Sequence, residues 1–134
     1  MNSKYMGTVY SFGLTKPHLQ SLDLICRRNN LLLKEVPFTH YERKIGEITG
    51  LSPASKETFE ELAIPPFQDE MLLFCFLDDK QLGGILEGLR SEKISIPLKA
   101  MLTQNNIDWT PVFLRDQLME EVEAMRKRMN GDGK

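Results

Sequence analysis

Apolar positions along the chain fall into alternating strand-like and helix-like stretches. Residues 8–14 are β-branched and aromatic enough for a short strand, with Gly13 marking its end. Thr15 then caps a helix that carries Pro17 in its first turn, where the missing N–H costs little. Leu19, Leu22 and Cys26 recur at helical spacing beside Ile25, and Asn29-Asn30 closes the pattern. Residues 31–36 read as a second strand that stops at Pro37. The β-α-β order then returns. Residues 71–77 form a strand, Asp78 caps a helix carrying Leu82, Ile85, Leu86 and Leu89, and residues 94–102 form a strand with Pro97 inside it. A Pro there argues for an edge position or a strand end. Shifting the first unit by 63 residues lays Val9 on Leu72, Leu14 on Leu77, Leu19 on Leu82, Leu22 on Ile85, Cys26 on Leu89 and Leu33 on Ile96. Any two βαβ units would agree this way, so the match supports shared architecture.

The stretch between the units, residues 38–69, is less regular. Ser52-Pro53 opens a short helix through Leu62, closed by Pro65-Pro66. After the second unit, residues 103–110 are a polar connection, and Thr110-Pro111 starts a long helix over 111–129 with the stripe Leu114, Leu118, Val122, Met125 and Met129. The expected fold is α+β in a single domain: unit one over about 8–37, unit two over about 70–103, then the C-terminal helix. Two βαβ units in series predict a ferredoxin-like βαββαβ sheet with two helices on one face. The strand at 71–77 is apolar at both parities, so both of its faces need cover. Leaving Leu72, Phe74 and Phe76 in water would cost roughly 7–11 kcal/mol. Helix 111–129 is the cover within the chain; a second copy, giving a homodimer, is the alternative.

Composition narrows the class. The 134 residues are 41% hydrophobic and 27% charged, with a formal charge of −2, which fits one packed domain and excludes disorder or a disulfide scaffold. That charge exerts no global pull toward nucleic acid or anionic membrane. Cys26 and Cys75 sit in apolar patterns and read as small buried hydrophobes. The N-terminus has no signal-peptide core, and the longest apolar run falls far short of the roughly 20 residues a membrane span needs. A soluble cytoplasmic protein is expected.

The run MLLFCFLDDKQLGGILEGLR followed by IPLKAMLTQNNIDWT resembles a small bacterial family known only as a domain of unknown function (domain of unknown function 3783). The resemblance covers residues 70–120, with a looser echo in the segment 45–50. It implies a compact α/β module and brings no activity, substrate or catalytic residue. Family members often carry a Gly in or just after the first strand of this segment, where this chain has Phe76.

Candidate chemistry is sparse. The polar loop 103–110 runs into a helix N-terminus, where free N–H groups and the helix dipole favour anions. Thr103, Asn106, Trp109 and Thr110 are therefore candidate ligand or partner contacts, although Thr110 also suits capping and Trp109 packing. Lys99 could neutralise a carboxylate or phosphate, or it could guard an edge strand against aggregation. Gly83, Gly84 and Gly88 match no phosphate-loop pattern and read as small residues allowing close helix packing. His18 and His40 have no ligand-spaced partner, so no metal site or cofactor is expected.

These readings converge on a non-enzymatic regulatory or binding module for an anionic small molecule or a protein partner, with contacts near Lys99, Thr103, Asn106, Trp109 and Thr110. The alternative is an RNA-binding module, which would need aromatic residues on an open strand face within basic surroundings. An enzyme has the least support, because no convergent cluster of catalytic residue types stands out.

Overall fold

The computed structural model describes residues 6–53 and 62–131. The chain forms β1 (Thr8–Phe12), α1 (Lys16–Arg28), β2 (Leu32–Val36), α2 (Ile45–Thr49), β3 (Met71–Cys75), α3 (Asp79–Ser91), β4 (Leu98–Met101) and α4 (Pro111–Gly131), with 3-10 turns at Phe38–His40 and Asn106–Asp108. Local chemistry sets these bounds. The Thr15 hydroxyl accepts the His18 N–H to start α1, and Asp78 with Gln81 forms a reciprocal capping box at α3. The helix expected over 52–62 lies largely outside the described residues. The strand expected over 71–77 stops at Cys75, because Phe76 turns into the left-handed region at φ 63°.

The fold is α+β with a mixed four-stranded sheet, but the ferredoxin-like expectation needs correcting. Strand order is β2-β1-β3-β4, with β1 parallel to β2, β3 parallel to β4, and β1 antiparallel to β3. Each βαβ unit pairs its own two strands. In the expected arrangement β2 would lie beside β3, usually through a short hairpin. Here residues 37–70 separate those strands, so no hairpin enforces that pairing, and each direct parallel crossover closes on itself. Strands β1 and β3 are buried at every position in either arrangement, which is why their apolar character did not distinguish the two.

The 63-residue repeat is visible in backbone detail. Helices α1 and α3 begin and end 63 residues apart, as do their caps Thr15 and Asp78. The left-handed residues Gly13 and Asn30 recur as Phe76 and Lys93. The N–H of Leu31 donates to the Cys26 carbonyl, and that of Ile94 to the Leu89 carbonyl. Beyond that point the repeat slips. Thr8 lies beside Leu32, whereas Met71 lies beside Leu98, so Ser95-Ile96-Pro97 is a three-residue insertion in unit two. The structural counterpart of Leu33 is therefore Lys99, not Ile96.

Two cores flank the sheet. Helices α1 and α3 cover one face, where Val9, Leu22, Ile25, Cys26, Leu72, Phe74 and Ile85 pack together. Gly84 and Gly88 let them approach: a Cβ at 88 would lie 2.7 Å from Ile25 Cγ2, while one at Gly83 would meet nothing within 4 Å. The other face carries Tyr10, Phe12, Met71, Leu73 and Cys75 beneath Tyr41, Ile45, Phe67, Leu114 and Leu118. Helix α4 is thus a cover within the chain, but it covers the Met71/Leu73/Cys75 face; Leu72 and Phe74 belong to α1 and α3. An ion pair from Arg115 to Asp69 (2.9 Å) ties α4 to the segment leading into β3.

Candidate functional site

The polar loop after β4 is organised by its own side chains. The Asn106 N–H donates to the Thr103 hydroxyl (3.0 Å), and the Thr103 N–H donates to Asn106 Oδ1 (2.8 Å). Asn106 Nδ2 donates to the Met101 carbonyl (2.8 Å), so this buried side chain is engaged at both polar atoms within the loop. Thr110 caps α4 by accepting the Phe113 N–H (3.2 Å). Trp109 meets Phe113 edge-on with ring centroids 4.9 Å apart, and its carbonyl accepts the Ile45 N–H (2.8 Å). Four of the five candidate residues therefore build the turn that delivers α4 onto the sheet.

Lys99 lies elsewhere. It pairs in register with Leu72, whose side chain belongs to the α1/α3 core, whereas Trp109 packs against the core on the opposite face. Edge strand β4 and the end of α3 border an open cavity of about 400 Å³ lined by Leu86, Leu89, Arg90, Lys93, Ile94, Ser95, Ile96 and Lys99. The inserted Ser95 and Ile96 form one wall, and the Lys99 ammonium donates to the Ile96 carbonyl. Burial pushes the Lys99 ammonium below its ordinary value. Arg90 pairs with Glu87, while neither Lys93 nor Lys99 has a carboxylate within salt-bridge distance among the described residues. Arg90 and Lys93 also suit the helix C-terminus, where cations compensate exposed carbonyls. Lys99 stands on edge strand β4, where a lysine also discourages addition of another strand, while in unit one its place belongs to Leu33, packed against the α1/α3 core.

A second concavity escaped sequence reasoning. Leu51, Phe76, Leu102, Thr103, Gln104 and Ile107 line an apolar hollow of about 410 Å³. A neighbouring hollow of about 300 Å³, between β1, β2 and the end of α2, shares Leu51 and Phe76 with it. Thr103 is the one candidate residue at this place, while Lys99 lines the cavity between α3 and β4. The signal that could have found the hollow is the repeat itself, which sets Phe76 on Gly13 and so predicts a strained aromatic at the strand end.

Other reactive groups have structural roles. Glu70 Oε2 lies 2.6 Å from His18 Nδ1 and accepts the Thr15 N–H, clamping the start of α1 to the strand beside it. Burial pushes both thiols, Cys26 and Cys75, up to about 12. Among the described residues, no three His, Cys, Asp or Glu side chains gather as metal ligands, and no helix is long and apolar enough to cross a membrane.

Residues 70–125 match the model of a family described as Domain of unknown function (DUF3783). The matched segment holds β3, α3, β4 and most of α4, so the cavity beside Lys99 falls wholly within it. No curated protein and no solved structure matches the chain.

Proposed function

We propose that the protein is a non-enzymatic binding module that takes a small organic anion with an apolar body in the cavity between α3 and β4. The reading is carried by one observation: a half-buried lysine, without a carboxylate partner among the described residues, occupies the position that the first βαβ unit fills with a half-buried leucine packed against the core. Burying part of a cation over Leu89, Ile94 and Ile96 costs stability unless an anion completes the site. Lys93 and Ser95 add a second charge and a hydroxyl at the rim, and a volume of about 400 Å³ lies in the range of small-molecule sites. Thr103, Asn106, Trp109 and Thr110 hold the loop that follows β4, so the anion contact rests on Lys99 rather than on them.

An RNA-binding reading has less support. Both sheet faces carry helices, and Phe74 is buried in the α1/α3 core.

The test is thermal unfolding with octanoate, 3-phenylpropionate and phenyl phosphate, on the natural chain and on Lys99→Leu. A probe at about 100 times its Kd should add about 2.7 kcal/mol, a rise of roughly 5–15 °C. Lys99→Leu should raise Tm without any probe and abolish the response to one. An unresponsive natural chain, or an undiminished response in the variant, would overturn the reading.

A further inference from the structure

The rim of the cavity beside Lys99 holds a second cation, at a position where the fold does not require one. Lys93 follows α3 in the left-handed region at φ 58°, the place that Asn30 takes after α1 at φ 60°. Glycine or asparagine suits that conformation, and a residue with a long side chain pays a steric cost in it. Helix closure does not explain the lysine. At the end of α3 the N–H groups of Glu92, Lys93 and Ile94 donate to the carbonyls of Gly88, Arg90 and Leu89. At the end of α1 the N–H groups of Asn29, Asn30 and Leu31 donate to Cys26 and Arg27 carbonyls, so the turn closes in the same way around an uncharged residue.

Charge at the cavity is unbalanced by two. Arg90 is paired with Glu87, whereas Lys93 and Lys99 have no carboxylate within salt-bridge distance among the described residues, and no acidic residue is among the described lining. The two ammonium groups can converge on one head group. That of Lys99 donates to the carbonyl of Ile96, which lies three residues from Lys93, a span of at most about 11 Å even if fully extended. The flexible four-carbon stem of a lysine covers much of that distance. Leu86, Leu89 and Ile94 remain as wall for an apolar body. A monoanion would leave one ammonium group without a counter-charge.

We infer that the cavity selects a dianionic head group, a phosphate monoester or vicinal dicarboxylate on an apolar body, and that Lys93 sets the preference over monoanions. This rests on the anion-binding reading above and narrows its ligand class.

Isothermal titration of the full chain at low salt tests it, at about pH 8, where a phosphate monoester is doubly charged. Phenyl phosphate is matched with methyl phenyl phosphate, in which a methyl ester removes one charge, and benzylsuccinate with 3-phenylpropionate, which lacks one carboxymethyl group. In each pair the dianion should bind roughly five- to tenfold more tightly, the worth of one further charged contact at a partly exposed site. Lys93→Asn should erase the difference; Asn30 shows that asparagine fits this backbone conformation. Lys127→Asn, which removes the same charge from an exposed position on α4, should keep it. A preference confined to one pair would support the inference and assign the head group to phosphate or to dicarboxylate. Equal affinities within both pairs, a preference undiminished in Lys93→Asn, or one lost equally in Lys127→Asn would overturn the inference and leave the anion site standing. Binding of no probe would overturn both.

Discussion

Phe76 offers a test in which the sign of the effect, rather than its size, decides. Its φ of 63° puts it in the left-handed region, where its counterpart Gly13 sits at 71°. An L-residue there carries a steric cost of about 1–2 kcal/mol that glycine avoids. The side chain works in the other direction: at 43% exposure rather more than half of the ring is covered, and truncation should cost about 2–3 kcal/mol. Comparing Phe76→Ala with Phe76→Gly separates the two contributions, since both remove the ring and only glycine relieves the backbone. At an ordinary position glycine is less stable than alanine by about 0.5–1 kcal/mol, through the larger entropy of its unfolded chain. Here the order should reverse, with Phe76→Gly more stable than Phe76→Ala by about 0.5–1 kcal/mol and both below the natural chain. Urea unfolding followed by circular dichroism resolves that gap as a shift in midpoint at constant m. A Phe76→Gly variant less stable than Phe76→Ala would refute the strain argument and the structural equivalence with Gly13.

Two further outcomes follow from packing and ionisation. Gly88→Ala should destabilise by about 1–3 kcal/mol, because the new methyl meets buried Ile25 at 2.7 Å, while Gly83→Ala, with open space around it, should stabilise by about 0.5–1 kcal/mol; equal effects in thermal unfolding would contradict the α1–α3 contact. Stability should also fall as pH rises from about 9 toward 12. The unfolded thiols of Cys26 and Cys75 release protons near their ordinary value of 9.0, whereas in the fold they hold them to about 12, so the stabilisation is complete below pH 9 and declines by up to about 1.4 kcal/mol per pH unit for each thiol. A urea midpoint unchanged between pH 8 and 10.5 would contradict it, those two values being set on either side of the ordinary thiol range.

The elements were legible in the sequence because their signals are local. Caps at Thr15 and Asp78, the helical spacing of Leu19, Leu22 and Cys26, and apolar character at both parities in β3 all act within a few residues. Strand order was not legible, because whether β2 lies beside β1 or β3 depends on a long connection with no turn signature of its own. The candidate loop was read correctly as a polar stretch ahead of a helix, yet the polarity of Asn106 and Thr103 is spent on bonds between neighbours in the chain. Lys99 was legible as an anomaly in a strand, and its surroundings were not, since they come from α3 and from an insertion that only register reveals.

The departures from the internal repeat are where specific chemistry concentrates. On the α1/α3 face the two units superpose in caps, left-handed residues and helix ends, as expected of elements whose shared task is to bury an apolar face. Three places break that equivalence. Ser95-Ile96-Pro97 lengthens the return to β4 and opens a cavity, with Lys99 where unit one has Leu33; Phe76 accepts strain where unit one has Gly13; and α4 runs on past the sheet, leaving Met125 and Met129 exposed. Each departure costs stability on general grounds: a desolvated cation, a strained backbone, exposed methionines. None of these costs is required by a sheet that unit one already completes without them. All three also lie within the segment that matches the family model or run directly on from it, and unit one lies outside it. Unit one therefore acts as an internal reference for what the fold alone demands, and the differences in unit two mark the residues whose replacement should be read first for function.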